Sequence, residues 1–307
     1  MIHLGNAPCS WGTLEFAGLD GERIGYTQML DELRAAGYTG TDLGDWGFMP
    51  TDPAALTAAL ASRELALISA FVPVALADRT AHAAGVELAL RTARLMAAAV
   101  PAQDMPPCIV LADANGTVPA RTTDAGRIST GQGLDAAQWQ IFAAGAEEIA
   151  RVVLAETGLH TLFHHHCAGY IETPAEIDEL LARTDPQLLG LVFDTGHFAY
   201  GDTHGSIAIS AALTRFSDRI GLVHLKDCHA AIAAEARATN HDYFTAVARG
   251  VFCELGQGSV DFPTVLHWMQ SSGYTGWVVV EQDVLPGMGA PAASATRNRT
   301  YLRSIGL

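Results

Sequence analysis

Apolar residues along this chain fall into short runs, and longer segments with helical spacing separate them. The runs occupy residues 2–7, 38–43, 65–74, 108–112, 161–163, 188–193, 220–225 and 277–280. Runs of this length, bounded by turn residues, suit strands better than helices. Helical spacing covers residues 26–36, 83–98, 135–156 and 293–304. The punctuation agrees with that division. Gly37 follows the first helix as a C-terminal glycine does, and Thr51-Asp52-Pro53, Thr173-Pro174-Ala175-Glu176 and Asp261-Phe262-Pro263 each read as a cap followed by an early proline. A polar stretch spans 113–133, and a long connection, 229–260, is expected to hold a helix near Tyr243.

Eight strand–helix units in 307 residues predict an α/β fold, a single (β/α)8 barrel over residues 1–307 with a long connection after the seventh strand. The rival, a doubly wound sheet, calls for a glycine-rich phosphate loop after an early strand. Gly44-Asp45-Trp46-Gly47 does not have that spacing.

Composition narrows the function more than the fold. Apolar residues make up 49% and charged ones 17%, which is ample for a buried core. The net charge of −15 opposes nucleic acid or an anionic membrane as partner, and it suits a metal cation or a neutral polyol or sugar substrate. The five cysteines are odd in number and form no CxxC, so neither a disulfide framework nor a zinc knuckle is expected. Met1-Ile2-His3-Leu4-Gly5 has no basic flank, and the alanine-rich segment 83–99 carries Glu87, Arg91 and Arg94. No signal peptide and no membrane span is expected, and the location expected is cytoplasmic.

The candidate chemistry begins at His164-His165-His166, where the fifth run ends. Strand alternation puts His164 and His166 on one face and sends His165 to the other. In a barrel of this kind the active site lies at the C-terminal strand ends. The next three runs end at Asp194, His224 and Glu281, so four successive strands present nitrogen and oxygen ligands to one mouth. Such a set suits one divalent ion, Mn²⁺, Co²⁺, Fe²⁺, Zn²⁺ or Mg²⁺. Whether His164 or His166 is the ligand of the fifth strand stays open at this point. Asp194 before Thr-Gly also fits a simple turn cap, and Cys167 and Cys228 show no nucleophile arrangement.

Phe193-Asp194-Thr195-Gly196-His197, Val223-His224-Leu225-Lys226-Asp227 and Val279-Val280-Glu281 resemble the motifs of the xylose-isomerase-like barrels of sugar isomerases and epimerases. Asn6-Ala7-Pro8, Ser10-Trp11-Gly12, Gly40-Thr41-Asp42-Leu43-Gly44, Pro50-Thr51-Asp52-Pro53 and the triple histidine are most similar to the inosose (2-keto-myo-inositol) dehydratases within that group. The resemblance implies one divalent metal, Mn²⁺ or Co²⁺ foremost, on His164, Asp194, His224 and Glu281. Epimerases of the group carry a glutamate on strand five, where this chain has His164. A symmetrical pair of carboxylates is therefore lost, which favours dehydration by chemically different groups over epimerisation. The subgroup's usual strand-two glutamate is Asp42 here.

The implied activity is a metal-dependent lyase that removes water from a cyclic polyol ketone through an enolate, with a ketose isomerase or epimerase as the alternative. Glu281 or His166 is expected as base, His197 or His166 as acid, and Lys226 as a contact to a substrate oxygen. Trp11 and Glu254 are expected to touch substrate, with the loop 252–258 as a wall. The segment 283–289 is expected to cover the site or to form a subunit contact in a homo-oligomer. A sugar-binding barrel without catalysis is the reading from another class.

Overall fold

The computed structural model describes residues 1–12, 24–101, 103–202 and 207–307. The chain begins with β1 (Ile2–Asn6), a short turn of 3-10 helix at Pro8–Trp11, and α1 (Tyr26–Ala36). Gly37, at φ 94°, closes α1 by donating its N–H to the carbonyls of Leu33 and Arg34. Next come β2 (Gly40–Thr41), α2 (Pro53–Ala61) capped by Asp52, β3 (Ala66–Leu67), β4 (Ser69–Val74) and α3 (His82–Ala99). The polar stretch after β5 (Cys108–Asp113) contains a short α4 (Pro119–Thr123) and leads to α5 (Ala136–Thr157). Then follow β6 (Thr161–His164), α6 (Pro174–Arg183), β7 (Leu189–Asp194), α7 (Thr195–Gly201), α8 (Ile209–Phe216) and β8 (Ile220–Leu225).

The long connection is richer than its sequence suggests. It holds β9 (Asp227–Cys228), α9 (Ala230–Ala238), α10 (Tyr243–Ala248) and β10 (Phe252–Cys253), and β9 and β10 pair antiparallel. The chain ends through α11 (Phe262–Ser271), β11 (Gly276–Val280) and α12 (Pro291–Ser304).

The main sheet is parallel, in the order β3-β2-β1-β11-β8-β7-β6-β5-β4. Its two ends, β3 and β4, are neighbours in the chain, separated by Ile68 alone. The run 65–74 therefore serves as one bent strand. Ile68 N–H donates to Thr41 O at 2.9 Å and Cys108 N–H donates to Ile68 O at 3.0 Å, so the sheet returns on itself as a barrel.

Alternation sorts the side chains. Ala7, Ile68, Val110, Leu162, Val192, Leu222, Trp277 and Val279 fill the barrel interior. The larger cluster, with Leu33, Phe142, Phe163, Phe193 and Leu213, lies between sheet and helices. Gly5 makes room inside the barrel: a Cβ there would stand 2.1 Å from Ile68 Cδ1. A third cluster, with Cys167, Tyr200, Tyr243, Val247 and Phe252, ties the long connection to the ends of β6 and β7. Among the described residues, no helix is long and apolar enough to cross a membrane.

Candidate metal centre and cavity

The four strand-end residues converge because each stands two positions beyond an inward-facing aliphatic residue. Leu162, Val192, Leu222 and Val279 form the dry layer, and His164, Asp194, His224 and Glu281 stand directly above it. Asp194 and His224 are level in register, while the stagger of the barrel sets His164 beside Val192 and His224 beside Val279. One ligand atom from each of the four lies within 4.8 Å of every other.

Asp194 both caps a helix and faces the centre. Its Oδ1 accepts from His197 N–H at 2.8 Å at the start of α7, while Oδ2 lies 3.6 Å from His164 Nε2 and 3.8 Å from His224 Nδ1. Glu281 Oε1 is 3.2 Å from His224 Nδ1. Metal–ligand bonds of about 2.0–2.2 Å put adjacent ligand atoms about 3.0–3.5 Å apart. Both ring nitrogens of His164 and His224, and Asp194 Oδ2, are buried with no hydrogen-bond partner. Orphaned lone pairs on this scale are costly to bury, so the donor set fits a divalent cation. Burial, with His224 and His166 close by, holds the His164 imidazole well below its ordinary pKa and therefore neutral, as a ligand must be. Burial opposes ionisation of Glu281, yet His224 and Lys226 outweigh it and keep the carboxyl below its usual range.

The centre opens into a cavity of about 500 Å³. His164, His166, Lys226 and Glu281 line it, together with Asp42, Phe71, Asn115, Thr117, Tyr243 and Asp283. Lys226 Nζ is 3.2 Å from both Glu281 Oε2 and Asp283 Oδ1. Burial works against its charge, but Asp283 and Glu281 prevail and hold the ammonium well above its ordinary pKa. His166 Nδ1 lies 2.6 Å from Cys167 O, a carbonyl that only accepts, so Nδ1 donates a hydrogen there. His165 turns outward between Phe193 and Phe198, and its Nε2 accepts from Asp194 N–H at 3.1 Å.

Three expected positions lie elsewhere. His197 is fully buried behind the cavity, its ring 3.8 Å from that of His166 and its Nε2 3.3 Å from Lys226 Nζ. It reaches the site through those two residues and does not line it. Trp11 is 3% exposed and packed in the outer core, with Nε1 donating to Glu32 Oε2 at 2.7 Å. Glu254 points away and pairs with Arg297. The loop 252–258 is correspondingly no cavity wall. It wraps Asp227, whose carboxylate accepts from the N–H groups of Gly256, Gly258 and Val260. Of the segment 283–289, Asp283 lines the cavity.

Other contributors carried little signal. Asp42 and Asp283 were readable by parity, two positions past inward-facing Gly40 and Glu281. Asn115 and Thr117 sit on irregular chain and Tyr243 at the start of α10, where no strand alternation applies. Behind His166 the chain turns through Ala168 at φ 65°, a conformation alanine seldom adopts. Buried Glu172 holds that turn, its oxygens accepting from Ala168 N–H at 2.9 Å and Gly126 N–H at 2.6 Å. Burial pushes its carboxyl up to about 7, against the pull of Arg121 and these N–H groups. Burial also pushes the thiols of Cys167 and Cys228 up, the latter to about 12, which leaves neither as a thiolate nucleophile.

Comparison with known proteins gives the family and the fold. The profile of the xylose isomerase-like TIM barrel family matches residues 30–305. An inosose dehydratase of Geobacillus kaustophilus (strain HTA426) is 31% identical over 301 residues, covering 98% of this chain and 94% of the relative. One of Lacticaseibacillus casei is 30% identical, covering 98% and 96%. Among solved structures, the IolI protein with a bound zinc atom superimposes with a TM-score of 0.68 at 12% identity, over 99% of this chain and 97% of that one. An L-ribulose 3-epimerase does so with a TM-score of 0.68 at 16% identity, over 99% and 94%.

Proposed function

The chain belongs to the xylose isomerase-like TIM barrel family, and from that premise we propose that this enzyme is a divalent-metal-dependent dehydratase of a cyclic polyol ketone such as inosose. The observation that carries the reading is the nearly full-length similarity to inosose dehydratases at about 30% identity. The imidazole of His164 at a place where epimerases keep a carboxylate supports it.

His164, Asp194, His224 and Glu281 would hold the ion, Mn²⁺ or Co²⁺ by preference, and it would supply a Lewis acid for the substrate carbonyl. The protein's own groups account for the proton movements. His166 presents an Nε2 lone pair and takes the proton α to the ketone; Glu281 is the alternative base. Lys226, kept as an ammonium by Glu281 and Asp283, faces the oxygen on which enolate charge develops. The imidazolium of His166 then returns its proton to the β-hydroxyl, which departs as water, and the imidazole is neutral again. His197, packed on the His166 ring and against Lys226, positions both.

Incubation of the metal-loaded protein with 2-keto-myo-inositol tests this through the ultraviolet absorbance of an enone product, which chelation abolishes and Mn²⁺ or Co²⁺ restores. A ketose epimerase would instead exchange solvent deuterium into substrate without losing water. A non-catalytic sugar binder would do neither.

A further inference from the structure

Four carboxylates, Asp42, Asp45, Glu281 and Asp283, line the cavity, and among the described residues the cation lining it is Lys226, already held by Glu281 and Asp283. Asp42 belongs to neither the metal set nor the Lys226 pairings. It follows Gly40, where an added Cβ would strike Trp277 and Ile68 of the barrel interior, so Asp42 points inward as well. The residue is 8% exposed, and Ser69 Oγ fixes it by donating to Oδ1 at 2.7 Å. Its second oxygen has no hydrogen-bond partner among the described residues and borders the cavity. An ionised carboxylate oxygen accepts hydrogen bonds only, so a ligand that displaces the cavity water from this oxygen must bring a donor of its own. Hydroxyl groups supply such donors. A phosphate or carboxylate would instead meet like charge in a medium of low dielectric.

We propose that Asp42 is a specificity-determining residue whose second oxygen accepts a hydroxyl hydrogen of the bound ring, and that the carboxylates around it restrict the cavity to uncharged polyhydroxylated ligands. This rests on the reading of the cavity as a polyol-ketone site, yet it concerns binding and is testable apart from the reaction.

Calorimetric titration of the Mn²⁺-loaded protein with 2-keto-myo-inositol, myo-inositol and myo-inositol 1-phosphate tests it. The neutral rings are expected to bind at least about tenfold more tightly than the phosphate, and Asp42→Asn to weaken the neutral rings about tenfold while narrowing that gap. Metal content and the thermal melt of Asp42→Asn serve as controls for folding. Should that variant not fold, Ser69→Ala, which frees the carboxylate from its fixed position, is expected to weaken the neutral rings and keep the discrimination against phosphate. Equal affinity for the phosphate in the unmodified protein overturns the proposal, and so does an Asp42→Asn protein that keeps both affinity and gap, or a folded Ser69→Ala protein with unchanged neutral binding. Asp42-dependent ring binding without water loss would uphold the proposal and sink the dehydratase reading. Water loss with unaltered selectivity in Asp42→Asn would do the reverse.

Discussion

Asp194 and His224 stand opposite one another in the parallel register of β7 and β8, with Asp194 Oδ2 3.8 Å from His224 Nδ1. The other oxygen of Asp194 is occupied at the N-terminus of α7, so one carboxylate joins the helix cap to the metal set.

Two losses should therefore separate in variants of this residue. Asp194→Ala is expected to lose bound metal and also about 1 kcal/mol of stability from the missing cap. Asp194→Asn, whose side-chain oxygen still caps, should lose metal affinity with a much smaller stability cost. Metal analysis of the purified proteins beside denaturant unfolding of their metal-free forms distinguishes the two.

Lys226 neutralises two buried carboxylates at 3.2 Å. Replacing it with methionine leaves Glu281 and Asp283 facing each other without their cation. A destabilisation of about 3–5 kcal/mol is expected in metal-free protein, with part of it offset when metal is bound. Melting curves with and without a chelator check this; equal Lys226→Met deficits in the two states would count against a metal beside Glu281.

Glu172 makes a prediction in pH. Its carboxyl is raised to about 7 in the fold, above the ordinary 4.5. A raised folded pKa means stability present in full below the unfolded value and lost as pH rises through the folded one. Between pH 4.5 and 8 the protein should lose on the order of 3 kcal/mol relative to Glu172→Gln. Urea unfolding of both proteins across that range gives the difference, and a flat difference would refute it.

Trp11 is predicted to matter for stability alone. Trp11→Phe removes the bond to Glu32 and should cost about 1–2 kcal/mol in unfolding, with KM for the polyol ketone unchanged. A raised KM with unaltered stability would place Trp11 at the substrate after all.

How far the sequence could be read follows from where alternation holds. The strands and their inward faces were legible because each run is bounded by turn residues and its side chains alternate, and this same rule assembled His164, Asp194, His224 and Glu281. It placed His165 outward for the same reason. Past the strand ends the rule lapses. Trp11 and Glu254 belong to loops whose direction depends on partners far away in the chain, Glu32 and Arg297. Tyr243 reaches the cavity only because α10 packs in the cluster at the barrel mouth, a tertiary fact without a local pattern. The break of 65–74 at Ile68 was likewise invisible, since it reflects closure of the sheet between β2 and β5.

The most direct measurement follows 2-keto-myo-inositol by NMR in deuterated water with the Mn²⁺-loaded protein. The expected result is disappearance of the ring polyol with matching growth of an unsaturated or diketone product one water lighter, abolished in His166→Ala. Deuterium entering the position next to the ketone, with every hydroxyl retained and an epimer accumulating, would contradict the dehydratase assignment.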